Sequence, residues 1–309
     1  MNMYVGLTDF DWYTEIKEKK FDEVNFWRPG TSNFKVLQPN DMFLFKLKKP
    51  YYAIVGGAFF VGYSLMPIDV VWDTFAEKNG TKNKEDFYNR INKYKQKNGM
   101  DEKNPYIGCI VLTEPFLFEE KDWIKPMADW SGSIVQGKKY DITIGEGKRV
   151  FEEVENRLSG KIRVEVANDS NSTNRLATYY ESLTKHRIGQ SAFRVVVTDA
   201  YNRECAVTGE TALPVLQAAH IKAFSDNGPN EVNNGILLRS DIHTLFDRGY
   251  MTIDSNYNIE ISSRLKEDYG NTLGYQQYHG KKLRVLPLEG ENKPRKDYLQ
   301  WHNENVFKG

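Results

Sequence analysis

The chain has 309 residues and carries 42 basic and 42 acidic side chains, so its formal net charge is zero. This length suits about two domains of ordinary size, each able to bury its own core. A hydrophobic content of 40% excludes extensive disorder. Because the net charge is zero, the protein lacks the overall positive charge that would indicate nucleic-acid binding.

No apolar run approaches the roughly 18 residues that a membrane span needs, and the N-terminus lacks the pattern of a signal peptide. We therefore expect a cytoplasmic protein with no membrane partner. The two cysteines, Cys109 and Cys205, lie in segments that belong to different predicted domains. A disulfide is not expected, and a four-cysteine zinc knuckle is impossible.

The first part of the chain alternates short β-type runs with breaks rich in proline, glycine and asparagine. These runs predict a small, mostly β barrel or curled sheet over residues 1–145, with one strong helix around 84–96. Apolar residues at helical spacing predict a closing helix at about 148–158. The first domain is therefore expected to span residues 1–158.

A cluster of Ser, Asn and Asp without periodicity marks residues 159–185 as a linker, and a second domain is expected over 186–309. This domain should begin with a helix from about 190 to 202. A β-hairpin candidate follows over 205–221, then a polar loop and a short helix that starts near Ser240. The fold class expected for the whole chain is α+β with two domains.

The second predicted domain contains a spaced set of residues suited to metal-assisted phosphodiester hydrolysis. His220 ends an apolar β-type run, Asn234 follows fourteen residues later, and His243 another nine. Asp247 lies one helical turn beyond His243, so both can face one ion. A lone histidine after an apolar run is more often structural, but a base on a strand and a His/Asp pair on a helix match what such chemistry needs.

This segment resembles the HNH endonuclease family, whose ββα-metal fold presents a base, an asparagine and a metal ligand in that order. The resemblance covers roughly residues 187–309 and rests on RIGQSAFRVVVTDAY, CAVTG and NGILLRSDIHTLFDRG. It implies that His220 is the general base, that Asn234 orients the base by holding the hairpin loop, and that His243 binds a divalent metal ion. Mg²⁺ or Mn²⁺ is expected, with other transition metals left open.

Two features depart from the wider family pattern. The residue before the base is often a metal ligand in the family, but here it is Ala219. We expect Asp247 to replace it, with Asp241 as the weaker alternative. The places of the family's paired zinc knuckles hold Cys205, Thr208, Arg239 and Ile242, so a structural zinc is not expected.

Basic residues flank the predicted site and are candidates for contacts to the DNA backbone, because guanidinium groups match phosphate geometry. For each of them a salt bridge within the domain is an equally good interpretation. The candidates are Arg187, Arg194, Arg239 and Arg248.

The layout of the first domain resembles the PUA-like superfamily, in particular EVE domains. The resemblance rests on MYVGLTDFDWY, NFWRPG, DMFLFKLKKPYYAIVGGAFF and SIVQGKKYD. It implies a pocket for an extruded, modified base, with Trp27 as the first aromatic wall. Further walls would be Trp12, Phe10 and Trp130, and polar readers would be Asp9 and Asn33, although packing in the core is as good an interpretation of any single aromatic residue.

Together these features predict a modification-dependent restriction endonuclease that flips 5-methylcytosine or 5-hydroxymethylcytosine out of double-stranded DNA and cuts nearby. Two alternatives stay open: a nuclease acting on unmodified DNA or RNA, and a binding protein whose HNH fold has lost its metal. A homodimer is compatible with the sequence, because one active site cuts one strand.

Overall fold

The computed structural model describes residues 2–97, 104–166, 188–270 and 273–309. The chain divides into two compact units, Met1–Arg187 and Ile188–Gly309. Within the described residues, no helix is long and apolar enough to cross a membrane. The two-domain α+β architecture expected from the sequence is confirmed.

The described part of the first unit contains six strands and four helices. In chain order they are β1 (Asn2–Thr8), α1 (Phe10–Lys19), β2 (Glu23–Arg28), β3 (Met42–Leu47), β4 (Ile54–Pro67), α2 (Ile68–Phe75), α3 (Lys84–Lys97), β5 (Tyr106–Leu117), β6 (Gly137–Asp141) and α4 (Gly145–Val166). The six strands form one mixed sheet in the order β2-β5-β4-β3-β1-β6. Strands β1 and β3 pair in parallel, and every other neighbouring pair is antiparallel.

The sheet is strongly curled. The rings of Phe26 on β2 and Phe43 on β3 have centroids 4.7 Å apart, although β5 and β4 lie between the two strands. In a flat sheet, strands three places apart would be separated by about 14 Å. Gly6 on β1 leaves room for this contact, since a Cβ there would lie 2.5 Å from the Phe43 ring. The sheet is therefore barrel-like, although in the described part of the chain no hydrogen-bonded ladder joins β2 to β6.

Both faces of the sheet are buried, each under its own hydrophobic cluster. Successive side chains along a strand point alternately to these two faces. On β3, Phe43 and Phe45 face a cluster that includes Trp12 and Ile16 of α1. Met42 and Leu44 face the opposite cluster, which includes residues of α4. Helix α4 ends at Val166, beyond the predicted end near residue 158. Gly160 lies between these two positions, and glycine lowers the stability of a helix without breaking it. The remainder of the predicted linker lies outside the described residues.

The second unit contains helices around two small antiparallel sheets. Its elements are α5 (Gln190–Ala200), β7 (Leu216–His220), β8 (Gly235–Arg239), α6 (Ser240–Asp247), β9 (Met251–Ile253), β10 (Ile259–Ile261), α7 (Arg264–Tyr269), α8 (Leu273–Gln276) and α9 (Lys296–Asn305). Strand β7 pairs with β8, and β9 pairs with β10. The order β7, loop, β8, α6 is the ββα arrangement that the family resemblance implies.

The hairpin differs in detail from the prediction over residues 205–221. Only the end of that segment forms a strand, and its partner is β8, so the polar loop connects the two strands instead of following them. The first predicted arm is a turn around Gly209, which has a φ of +72°, followed by a short 3₁₀ segment over Leu213–Val215. Pro214 has no N–H to donate to a ladder, which explains why no strand forms there.

Helix α9 packs on α6 through a buried histidine. The ring of His302 stacks on Phe246 with centroids 3.8 Å apart, and its Nε2 lies 3.2 Å from the Phe246 carbonyl oxygen. Its Nδ1 lies 2.8 Å from the Thr252 hydroxyl. This contact anchors the C-terminal end of α6, the end that carries Asp247.

Candidate functional site

His220 is the last residue of β7 and lies opposite Gly235 of β8. Its ring stacks on Phe193 of α5, with centroids 4.0 Å apart and planes 11° apart. Its Nε2 lies 2.7 Å from Oδ1 of Asn230 in the connecting loop. Gly235 permits this packing, because a Cβ there would lie 2.9 Å from the Phe193 ring. The imidazole is therefore held both on one face and at one edge.

Burial lowers the pKa of His220 below its ordinary value of 6.5. The hydrogen bond to Asn230 and the carboxylate of Asp247 act in the opposite direction, whereas His243 lowers the pKa further. Because the net shift is downward, the imidazole is neutral at pH 7. A neutral imidazole is the form that can accept a proton.

Asn234 is fully buried and ties together the loop between the two strands. Its Oδ1 accepts a hydrogen bond from the backbone N–H of Lys222 at 2.9 Å. Its Nδ2 donates to the carbonyl oxygens of Lys222 at 3.0 Å and Pro229 at 2.8 Å. These contacts hold the loop between β7 and β8; that Asn234 thereby orients His220, as the family resemblance implies, stays a prediction.

His243 and Asp247 lie one turn apart on α6, and the His243 Nε2 is 3.2 Å from Oδ2 of Asp247. The other ring nitrogen, Nδ1, is 2.7 Å from Oε1 of Gln217 on β7. The Asp247 side chain is 58% exposed, and that of His243 is 20% exposed. The pair therefore forms the solvent-accessible side of the site, and Gln217 sets the orientation of the imidazole.

The donor atoms of His243 and Asp247 suit a shared divalent ion. Two ligands about 2.1 Å from one ion and at right angles to each other are about 3 Å apart, close to the separation observed. Ala219 is buried and supplies no donor. Within the described residues, no group of three or more His, Cys, Asp or Glu side chains is placed to hold a metal. The remaining ligands would have to be water or phosphate oxygens.

Asp241, the weaker candidate ligand, is engaged elsewhere. Its two carboxylate oxygens accept hydrogen bonds from Arg239 at 2.7 and 2.8 Å, and Tyr275 donates a third at 3.2 Å. The Arg239 guanidinium holds the pKa of Asp241 below its usual range. For Arg239, the structure therefore shows the salt bridge within the domain rather than a free guanidinium.

The other predicted backbone contacts have different positions. Arg248 is exposed directly after α6, and Arg194 is half-buried on α5. Arg187 lies outside the described residues.

The Cys205 thiol accepts hydrogen bonds from the backbone N–H groups of Thr208 and Arg239, at 3.4 and 3.2 Å. This donor set, with one thiol, does not fit a zinc knuckle.

The first unit contains a pocket of about 370 Å³ bounded by β1, β2, α1 and α3. Its most buried lining residues are mostly aromatic or aliphatic: Tyr4, Thr8, Trp12, Phe26 and Ile110. Its more exposed lining carries four cations, Arg28, Lys48, Arg90 and Lys93. The pocket thus combines an aromatic floor with a basic rim.

Three of the six predicted base-binding residues, Asp9, Trp12 and Trp27, line this pocket. Trp12 also packs edge-on against Phe26 and Phe45. The Trp27 indole N–H donates to the carbonyl oxygen of Asn79 at 2.9 Å, which fixes its ring. The Asp9 carboxylate pairs with Lys48 at 2.8 Å.

The structure places the other three predicted residues outside the pocket. Phe10 stacks on Tyr51, with centroids 4.3 Å apart. Trp130 is buried in the cluster on the opposite face of the sheet, where the Lys46 ammonium lies 4.8 Å from its ring centroid. Asn33 lines a separate surface depression. For Phe10 the physical reason is its phase on α1, whereas Trp130 and Asn33 lie in loops, whose paths the tertiary fold decides.

Several site residues were not identified from the sequence. Asn230, Gln217 and Phe193 contact the two histidines. Gln217 precedes His220 by three residues on the same strand, so it occupies the face of the sheet opposite to that of His220 and Ala218. Asn230 and Phe193 carry no comparable local signal, because each reaches His220 only through the tertiary fold.

The second unit thus combines a strand–loop–strand–helix frame with two histidines and a buried asparagine, the arrangement expected of a ββα nuclease domain. Residues 205–254 match the family model HNH_2, described as HNH endonuclease. The chain thus carries an HNH endonuclease domain and is a DNA endonuclease, a hydrolase of phosphodiester bonds. No curated protein matches the chain.

Solved structures with some similarity include one titled "Modification dependent TagI restriction endonuclease". It has 12% sequence identity and a TM-score of 0.29, over 92% of this chain and 75% of that chain. A point mutant of the ASCH protein from Zymomonas mobilis has 9% identity and a TM-score of 0.33, over 49% of this chain and 97% of that chain.

Proposed function

We propose that this protein is a modification-dependent restriction endonuclease. In this proposal the first unit binds 5-methylcytosine or 5-hydroxymethylcytosine extruded from double-stranded DNA, and the HNH domain hydrolyses phosphodiester bonds nearby. The enzyme acts in the cytoplasm, and two copies or two successive events produce a double-strand break.

The observation that carries the proposal is the pocket with an aromatic floor and a basic rim. A nucleotide has the same division, because its base is flat and weakly polar and its phosphates are anionic. Trp12 and Trp27 offer ring surface for the base, and stacking on an aromatic side chain contributes about 1–3 kcal/mol per base. Lys93 and Arg28 at the rim would contact the flanking phosphates.

The size and polarity of the pocket suit a methylated base. Its volume of about 370 Å³ lies within the range of about 300–1,000 Å³ typical of small-molecule sites. The methyl group of 5-methylcytosine would lose contact with water against Phe26 or Ile110, which favours the modified base. The Asp9 carboxylate would accept a hydrogen bond from the exocyclic amine of cytosine.

The geometry of the second unit supports the following hydrolytic step. Neutral His220 takes a proton from a water molecule, the resulting hydroxide attacks phosphorus, and the bond to the 3′ oxygen breaks; the 3′ oxygen takes a proton from solvent water, and His220 returns its proton to solvent. Asn234 keeps His220 in place by holding the loop, and Arg194 and Arg248 contact the DNA backbone. His243 and Asp247 would hold a Mg²⁺ or Mn²⁺ ion, which when bound stabilises negative charge on the phosphate and on the leaving oxygen.

The test is digestion of four matched DNA substrates that carry cytosine, 5-methylcytosine, 5-hydroxymethylcytosine or glucosylated cytosine, each with Mg²⁺ and with Mn²⁺. We expect cleavage of the methylated and hydroxymethylated DNA only. Equal cleavage of all four substrates would indicate a nuclease for unmodified DNA. The absence of nicking in any substrate with either ion would indicate a binding protein without catalysis.

Two variants separate the contributions of the units. Trp27→Ala should abolish the preference for modified DNA, because cleavage of that DNA should fall to the rate measured on unmodified DNA. Tyr106→Ala, which removes an exposed aromatic side chain outside the pocket, is the matched control and should behave as wild type. His220→Ala should abolish cleavage of every substrate, and full activity in that variant would refute the hydrolytic mechanism.

A further inference from the structure

Asn230 bridges His220 to the segment that directly precedes α5. Its Oδ1 lies 2.7 Å from Nε2 of His220, and its Nδ2 lies 2.7 Å from the carbonyl oxygen of Ile188. A carbonyl oxygen only accepts hydrogen bonds, so the Asn230 atom that faces Ile188 must be the NH₂ group. The amide orientation of Asn230 is thereby determined by its second partner.

This orientation determines the tautomer of His220. The atom that faces His220 is the Asn230 carbonyl oxygen, which only accepts. Nε2 must therefore carry the hydrogen, and in the neutral imidazole Nδ1 then carries the lone pair. Among the residues that the structure describes, Nδ1 of His220 has no hydrogen-bond partner. Phe193 covers one face of the ring, which restricts rotation of the imidazole.

We propose that Asn230 is a positioning residue that holds His220 in the Nε2–H tautomer, so that Nδ1 is the atom that removes the proton from water. The inference rests on the proposed role of His220 as general base. The proton moves from water to Nδ1, the Nε2–H remains bonded to Asn230, and the ring becomes an imidazolium stabilised by the Asn230 carbonyl oxygen. Asn230 itself exchanges no proton.

The direct test is the tautomer of His220 in the full chain, measured from long-range ¹H–¹⁵N correlations of the histidine rings at pH 7.5. The chain has only five histidines, and the signal that disappears in His220→Ala identifies the residue. We expect the Nε2–H pattern in the wild type. The Nδ1–H pattern would overturn the proposal, whether or not the protein cleaves DNA.

Variants at Asn230 test the consequence for catalysis. Asn230→Ala should convert the His220 signals to a mixture of tautomers and lower kcat by about 10–100-fold, as is typical when a supporting hydrogen bond is removed, with KM changed less than about twofold. Asn230→Asp retains an acceptor for Nε2–H but loses the donor to the Ile188 carbonyl oxygen, so it should keep the Nε2–H tautomer and have a rate between those of Asn230→Ala and the wild type.

Asn227→Gly is the matched control, since Asn227 is exposed in the same loop and has a φ of +61° that glycine adopts freely. It should match the wild type in tautomer and rate. If Asn230→Ala retained both the wild-type tautomer and the wild-type kcat, Asn230 would have no positioning role. Loss of activity in His220→Ala together with an unchanged rate in Asn230→Ala would leave the general base in place and overturn only the inference about Asn230.

Discussion

Replacement of Asn234 by alanine tests the most heavily hydrogen-bonded side chain of the nuclease site. The substitution removes three hydrogen bonds, one from Lys222 and two to the Lys222 and Pro229 carbonyls. Each contributes about 1 kcal/mol net to stability, so we expect the free energy of unfolding of the second unit to fall by about 3 kcal/mol. A change of that size raises the equilibrium constant for opening by about 10²-fold.

Hydrogen exchange followed by mass spectrometry measures this effect in the full chain, through peptides that span residues 216–239. The backbone N–H of Lys222 loses its acceptor, and β7 loses the constraint that places His220, so kcat should fall in parallel. Asn233→Ala is the matched control: the side chain of Asn233 has one long bond of 3.4 Å to the Glu291 carbonyl and a buried oxygen without a partner among the described residues. If exchange in Asn234→Ala stayed within twofold of wild type, or if Asn233→Ala had an equal effect, the assigned role of Asn234 would be wrong.

Three further predictions concern the metal and the histidines. Asp247→Asn should weaken Mn²⁺ binding at least about 10-fold in calorimetric titrations, whereas Asp226→Asn, which changes an exposed aspartate in the β7–β8 loop, should not; equal affinity in both variants would remove Asp247 from the metal site. Because burial lowers the pKa of His220, the acid limb of the cleavage rate should lie below pH 6.5, and a limb above pH 7 would contradict this environment. Burial lowers the pKa of His302 from 6.5 to about 4, so as pH falls the histidine takes up a proton in the unfolded protein before it does so in the folded protein. The folded protein therefore has its full stability above pH 6.5 and loses up to about 3 kcal/mol as pH falls towards 4. Thermal unfolding at pH 4.5 and 7.5 measures the loss, which should shrink in His302→Gln.

The general design of the nuclease site was predictable because it is local. His220, Asn234, His243 and Asp247 lie within 28 consecutive residues, and a strand, a loop, a second strand and a helix place them with few degrees of freedom. The i, i+4 spacing of His243 and Asp247 directly implies one helix face. The error in the predicted hairpin arose because strand pairing depends on a partner, and the sequence before β7 contains apolar residues that resemble a strand.

The partners of the two histidines depended on the tertiary structure. Gln217 reaches His243 across 26 residues, and Asn230 links His220 to Ile188 across 42. Phe193 contributes from a helix that precedes the hairpin. No periodicity or spacing rule relates these pairs, because their contacts depend on how separate elements pack against each other.

The amino-acid sequence alone determined the spacing of the proposed base, the asparagine and the proposed metal-binding pair, since short-range backbone geometry relates these positions to one another. Only the tertiary structure decided which aromatic residues line the pocket of the first unit. Phe10 and Trp12 are two positions apart on α1, and an advance of about 200° around the helix directs them to opposite sides. The sheet packs against one side of α1, so Trp12 is buried and lines the pocket, while Phe10 is left to stack on Tyr51.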